Sequence, residues 1–162
     1  MMALVKGLLF VMALAACGRS ESARQGAAST VATKPHAFPG FTLELPAGKE
    51  QSSGDNDAVG GLELSSVAKP QYVISVKWQT VALTPSTLDQ WQAGVAAQLG
   101  DAATFQRVQH AGHDSIDVGI EDHFMVWTPL ACGTRMITVQ TTAYDPALRS
   151  LHDHVVASLA CL

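Results

Sequence analysis

The chain runs to 162 residues, 48% of them apolar, with ten Lys and Arg against fourteen Asp and Glu, a formal net charge of −4 with the histidines neutral. That mild acidity argues against nucleic-acid binding, which runs on lysine and arginine clusters, and against adhesion to anionic lipid through a basic patch. The length suits one domain and is too short for two ordinary ones.

The first feature in chain order is "GLLFVMALAACGRS", residues 7–20. Lys6 supplies a positive charge, Leu8 to Leu14 form an unbroken apolar core, and Ala15 and Ala16 are the small residues a signal peptidase needs. The apolar run is too short for a membrane-spanning helix, which takes about 20 residues. Its layout is that of a cleaved secretory signal over residues 1–16. The tetrad Leu14-Ala15-Ala16-Cys17 resembles the lipobox of bacterial lipoproteins and matches it at every position. The resemblance implies that Cys17 takes a diacylglycerol, that the chain is cut before it, and that the new amino terminus is acylated. Two or three acyl chains anchor stably, since each buried methylene contributes about 0.8 kcal/mol. Gly18 stands where an aspartate would favour inner-membrane retention, so the expected location is the periplasmic face of the outer membrane.

Residues 18–36, "GRSESARQGAASTVATKPH", lack any apolar period and read as a flexible tether, with a reach of roughly 25 Å. The folded domain is expected over 38–162. "FTLELP" alternates as a half-buried strand, and "EQSSGDNDAVGG" reads as a loop, followed by a short strand over 62–67. "YVISVKWQT" puts Tyr72, Ile74, Val76 and Trp78 on one side and is the clearest strand in the chain. From Thr84 the period becomes helical, with Leu88, Trp91, Val95 and Leu99 on one stripe. Ser86 and Asp89 have the spacing of a capping box, and Gly100 is a natural stop. Strands are predicted near 104–110, 115–121, 123–130 and 134–143. A closing helix begins at the N-cap Asp145 with Pro146 in its first turn, and carries Leu148, Leu151, Val155, Leu159 and Leu162 on one face.

Three cysteines are odd for an exported protein. With Cys17 lipidated, Cys132 and Cys161 are left to form a disulfide in an oxidising compartment. Cys161 is expected in the last turn of the closing helix, so that turn must approach a strand end at Cys132.

Strands in runs with two helices point to an α+β domain, an antiparallel sheet of about six to seven strands flanked by two helices. The order strand "FTLELP", strand "YVISVKWQT", helix "STLDQWQAGVAAQL", several antiparallel strands and closing helix "PALRSLHDHVVASL" resembles the PsbP-like α/β/α sandwich. The resemblance covers residues 38–162 by order of elements and implies a fold that hosts binding modules more often than enzymes.

Chemistry is sparse. His110, His113 and His123, amid Asp114, Asp117, Glu121 and Asp122, have the side chains that suit zinc, although the spacing matches no zinc signature. "HAGHD" reads equally well as a hairpin turn, with Gly112 taking the positive φ. His152 is expected to be partly buried and His154 exposed. No nucleophile elbow or other specific catalytic motif is present, so no enzyme activity and no cofactor is expected. Trp78 and Trp91 read as core. In "HFMVWTPLACG" either Phe124 and Val126 or Met125 and Trp127 face inward, which makes Met125 and Trp127 candidate partner anchors on an outer surface. The long loop expected at 46–60 offers Asp55 and Asp57. The expected partners are the membrane, through lipid on Cys17, and a protein, with no nucleic acid. These features point to a non-catalytic adaptor or chaperone-like module. The alternatives are an immunity lipoprotein that neutralises a periplasm-targeted toxin and a metal-binding protein using the histidines.

Overall fold

Alternation in "YVISVKWQ" builds the middle of the main sheet, because Tyr72, Ile74, Val76 and Trp78 are all buried while Lys77 and Gln79 are exposed. The computed structural model of the protein describes residues 31–162. Cys17, the expected signal segment and the expected tether up to residue 30 lie outside the described residues. The strands are β1 (Thr33–Phe38), β2 (Phe41–Pro46), β3 (Lys49–Asp55), β4 (Val59–Ser65), β5 (Tyr72–Gln79), β6 (Ala103–His110), β7 (His113–Ile120), β8 (His123–Cys132), β9 (Arg135–Ala143) and β10 (Ala160–Cys161). Helix α1 (Thr87–Leu99) lies between β5 and β6, and α2 (Arg149–Ala157) between β9 and β10. Seven strands form one antiparallel sheet in the order β3-β4-β5-β9-β8-β7-β6, and β1-β2-β10 form a small second sheet. The fold is α+β, as the order of elements predicts.

Each face of the large sheet has its own core. On one face, Ile74, Val76, Val126, Ile137 and Val139 pack with Leu151, Val155 and Val156 of α2 and with Phe41, Leu43 and Leu45 of β2. On the other, Ile116, Val118 and Trp127 pack with Leu88, Trp91 and Leu99 of α1. Strand β8 is therefore buried on both sides, and this settles which pair faces inward. Phe124 and Val126 face α2 while Met125 and Trp127 face α1. Trp127 is 5% exposed and stacks on Trp91, with ring centroids 4.7 Å apart and planes 12° from parallel. Trp127, a candidate anchor for an outer surface, is thus covered, and Met125 is half-buried beside it.

Helix α1 has no fully buried residue, so it is held to the sheet chiefly by Leu88, Trp91 and Leu99. Trp91→Ala is expected to lower stability by about 3 kcal/mol, the loss of a large packed ring and its stack. Limited proteolysis should then cut within 84–100 before the rest of the domain. A thermal melt unchanged by the substitution would mean that α1 is held by its polar contacts instead.

Four local readings are corrected. The loop expected at 46–60 is largely the β3–β4 hairpin. β3, "KEQSSGD", shows no alternation because it is an edge strand whose described side chains are exposed on both faces. In β4, Gly60 looks like loop but is required by packing: a Cβ there would lie 2.1 Å from Cζ2 of Trp78. The hairpin turn is closed by Asn56 Oδ1, which accepts from the backbone N–H groups of Ala58 and Val59 at 2.9 and 2.8 Å. Second, β1 takes in residues 33–36, expected as tether, by pairing along the whole of β2. Third, Ser86 makes no side-chain cap to α1, and Asp89 bonds Arg107 of β6 at 2.5 Å instead of closing a capping box. Fourth, the closing helix stops at Ala157, after a 3₁₀ turn over Pro146–Leu148 capped by Asp145. The hydroxyl of Ser158 donates to the Val155 carbonyl and accepts from the Glu44 N–H, tying the helix end to β2. Cys161 then sits in β10 rather than on the helix, and it forms the expected disulfide with Cys132, with a Cα separation of 5.6 Å.

Candidate functional site

Two groups of polar side chains stand out, one on each face of the large sheet. On the α2 face, the alternation of β6 and β7 turns His110 and Asp117 inward, and the first turns of α2 bring Arg149, His152 and Asp153 down onto them. His110 Nδ1–H donates to Asp153 at 2.6 Å and Nε2–H donates to Asp117 at 2.9 Å. Arg149 Nε donates to the other oxygen of Asp117 at 3.0 Å, and its guanidinium lies 4.1 Å over the ring of Phe124. Burial alone would push the His110 imidazole down, but the two carboxylates outweigh it and hold its pKa at about 9. Burial would push Asp117 up, yet the hydrogen bonds from His110 and Arg149 hold it below its ordinary value. Two cations thus balance two anions.

His152 behaves oppositely. It is fully buried, its ring 5.2 Å from that of His110, and burial followed by the His110 charge lowers its pKa to about 3. Its neutral ring lies in a closed chain of hydroxyls. Ser115 donates to the His113 carbonyl, so Thr128 donates to Ser115 at 2.7 Å. His152 Nε2–H then donates to Thr128 at 2.8 Å, and Thr141 donates to Nδ1 at 2.9 Å. Ser115, Thr128, Thr141 and His152 are all 0% exposed. Each proton in this chain is committed to a neighbour and no substrate can reach it. Its work is to fasten α2 to the sheet.

On the other face, α1 covers only the β6–β8 half of the sheet. Beside it, above β9, β5 and β4, opens a cleft of about 520 Å³. Trp91, Trp127 and Thr87 form one wall, Ser75, Lys77, Gln79, Met136, Thr138 and Gln140 the floor, and Ser53, Val59 and Gly60 of the β3–β4 hairpin the far side. Register places Ser75 opposite Gln140, Lys77 opposite Thr138 and Gln79 opposite Met136, so the floor is one continuous patch of two neighbouring strands. Among the described residues, the side chains of Lys77, Gln79, Thr138 and Gln140 have no hydrogen-bond or ion-pair partner. Lys77 is the one charged group lining the cleft. The size falls within the range of ligand clefts, about 300–1,000 Å³.

The histidines singled out in the sequence do not converge. His110 and His113 face each other across a two-residue turn, Ala111 and Gly112 both at positive φ, so the hairpin reading of "HAGHD" holds. His123 pairs with Ile120 at the opposite end of β7, about 23 Å away along the strand. His113 is exposed, and His123 bonds Asp122 and packs near Tyr144. No three His, Cys, Asp or Glu groups among the described residues are arranged to hold a metal ion. Of the expected partner residues, Trp127 alone lines the cleft. Asp57 is exposed at the hairpin turn, where its carbonyl accepts from Arg135 at 2.8 Å, and Asp55 ends β3. Lys77, Thr138, Gln140 and Trp91 were not legible as a group, since they come from β5, β9 and α1. The one sequence signal was the pair of polar faces on β5 and β9, which also fits plain solvent exposure.

No family model and no curated protein matches the sequence. Among solved structures, the solution structure of cyanobacterial PsbP (CyanoP) from Synechocystis sp. PCC 6803 is similar, with a TM-score of 0.57 at 12% identity, covering 85% of this chain and 99% of that one. A crystal structure from Bacteroides thetaiotaomicron VPI-5482 is more remote, at a TM-score of 0.44 and 13% identity over 80% of this chain and 48% of that one. At such identity the likeness is one of fold alone, and the fold of this chain is PsbP-like.

Proposed function

We propose that this protein is a lipid-anchored envelope protein, held at the periplasmic face of the outer membrane through Cys17, whose domain is a non-catalytic adaptor that binds another protein. The open half-face of the large sheet carries this reading. Its cleft presents uncommitted donors and acceptors from two adjacent strands, walled by packed tryptophans. Of the titratable groups with perturbed pKa values, His110 and Asp117 are committed to each other and His152 to Thr128 and Thr141, all on the opposite face. The lipobox match at Leu14–Cys17 supports the anchor, and no helix among the described residues is long and apolar enough to cross a membrane.

The test is affinity capture from envelope and secreted fractions of the native host, with a second bait in which Thr138→Trp fills the cleft. A partner retained by the first bait and lost by the second is the expected result. An envelope-assembly component supports the adaptor, whereas a secreted toxin inhibited on binding makes the protein an immunity lipoprotein. A partner held equally by both baits removes the cleft from the reading.

A further inference from the structure

We propose that the cleft beside α1 takes a short extended peptide segment that is uncharged except for one Asp or Glu, whose carboxylate docks on Lys77. The inference rests on the protein-binding reading and specifies the chemistry of the partner.

Charge is the first argument. Among the described residues seven Lys and Arg face thirteen Asp and Glu, yet only two of the seven cations pair with a carboxylate; what sets Lys77 apart is that it is the one charged group lining the cleft. Arg107 is paired with Asp89 and Arg149 with Asp117. Lys77 has no such partner and stands at the centre of the cleft floor, between Ser75 and Gln79 along β5 and opposite Thr138 on β9. The nearest acidic side chain on that face is Glu63 of β4, which is engaged by the Ser75 hydroxyl at 3.5 Å. A carboxylate brought to Lys77 gains a charge-assisted hydrogen bond in a partly desolvated trough. A second negative charge would meet Glu63.

The neutral lining sets the rest of the ligand. Gln79, Thr138 and Gln140 offer amide and hydroxyl groups that complement the backbone of an extended chain, which carries one donor and one acceptor per residue. Val59, 54% exposed on the rim, offers an apolar contact for a neighbouring side chain. A glycan is the less favoured occupant. Sugars need open aromatic faces, and those of Trp91 and Trp127 are turned on each other, with Trp127 only 5% exposed.

The experiment is selection of a displayed random heptapeptide library on the purified full chain carrying Cys17→Ser, disulfide intact. The enriched peptides are then re-measured on Lys77→Glu, Lys77→Arg and Thr138→Trp. The expected consensus has one Asp or Glu among neutral residues. Its affinity should fall at least tenfold with Lys77→Glu, survive Lys77→Arg, and be lost with Thr138→Trp. Peptides that need the open cleft but contain no acidic residue overturn the carboxylate assignment and leave the protein-binding reading standing. Absence of any cleft-dependent peptide overturns both. Indole N–H resonances of Trp91 and Trp127 that shift with a trimer of N-acetylglucosamine, and not with peptides, assign the cleft to a glycan.

Discussion

Replacing Cys132 and Cys161 by serine should lower the unfolding free energy by roughly 3–4 kcal/mol, the chain-entropy value for a loop of this size. The two cysteines are 29 positions apart and join the end of β8 to β10. β10 has little else to hold it. It pairs with β2 at two positions, Ala160 with Thr42 and Cys161 with Phe41, and one further hydrogen bond runs from the Leu162 N–H to the Gly40 carbonyl. Leu162 itself is 83% exposed and adds no core contact. Without the cross-link this segment frays, and it lies against Phe41, whose buried ring stacks on Phe38 at 4.8 Å and helps seat the small sheet. Guanidinium denaturation of the oxidised, reduced and doubly substituted proteins measures the effect. The reduced and serine forms should agree, because the loss resides mainly in the freed unfolded chain. A change below 1 kcal/mol would mean that packing of α2 alone fixes the carboxyl-terminal segment.

Where the sequence was readable, burial was one-sided. β2 and β5 alternate because one face meets the α2 core and the other meets solvent or polar groups. Where both faces are exposed, as in β3, or both are buried, as in β8, alternation carries no information about which way a residue points. This is why the hairpin read as a loop and why the sequence left open which of Phe124 and Val126 or Met125 and Trp127 face inward. β1 was hidden for a third reason. Pro35 and Lys34 belong to an edge strand of the small sheet, where proline is tolerated and polarity is expected. At the carboxyl end Leu159 and Leu162 continue a helical period by chance, while the backbone leaves the helix at Ser158.

The sites were less legible than the fold, because both are made by non-local pairing. His110 and Asp153 are 43 positions apart, and only the docking of α2 on β6 and β7 makes them partners. Read along the chain, His110 belongs with His113 and His123, a grouping that the straight run of β7 separates. The cleft has the same origin, since Lys77 and Thr138 meet through the β5–β9 register. What the sequence did record was local chemistry: a hairpin at Ala111–Gly112, a cap at Asp145, and two cysteines left over to pair.

Stability is expected to be greatest near pH 6.5 and to fall on either side, through two histidines displaced in opposite directions. His110 is held at about 9 against 6.5 in the unfolded chain. The folded state binds its proton more tightly, so this contribution is complete below pH 6.5 and disappears as pH rises through 9. Its size is roughly 2 kcal/mol once solvent screening at the half-exposed Asp153 is allowed for. His152 is held at about 3, so the unfolded chain binds the extra proton. Stability is therefore withdrawn as pH falls from 6.5 toward 3, and Asp117, held below its ordinary value, adds to the loss at the acid end. Asp117→Asn should cost about 3 kcal/mol at pH 7, as expected when one partner of a buried charged pair is removed. It should also flatten the limb between pH 6.5 and 9, because His110 then loses one of the two carboxylates that raise it. His152→Gln should leave that limb intact and flatten the limb between 6.5 and 4. Urea denaturation from pH 4 to 10 separates the two. If Asp117→Asn lowers stability by the same amount at every pH, then Asp117 serves only to pair Arg149, and the alkaline limb belongs to His110 and Asp153 alone.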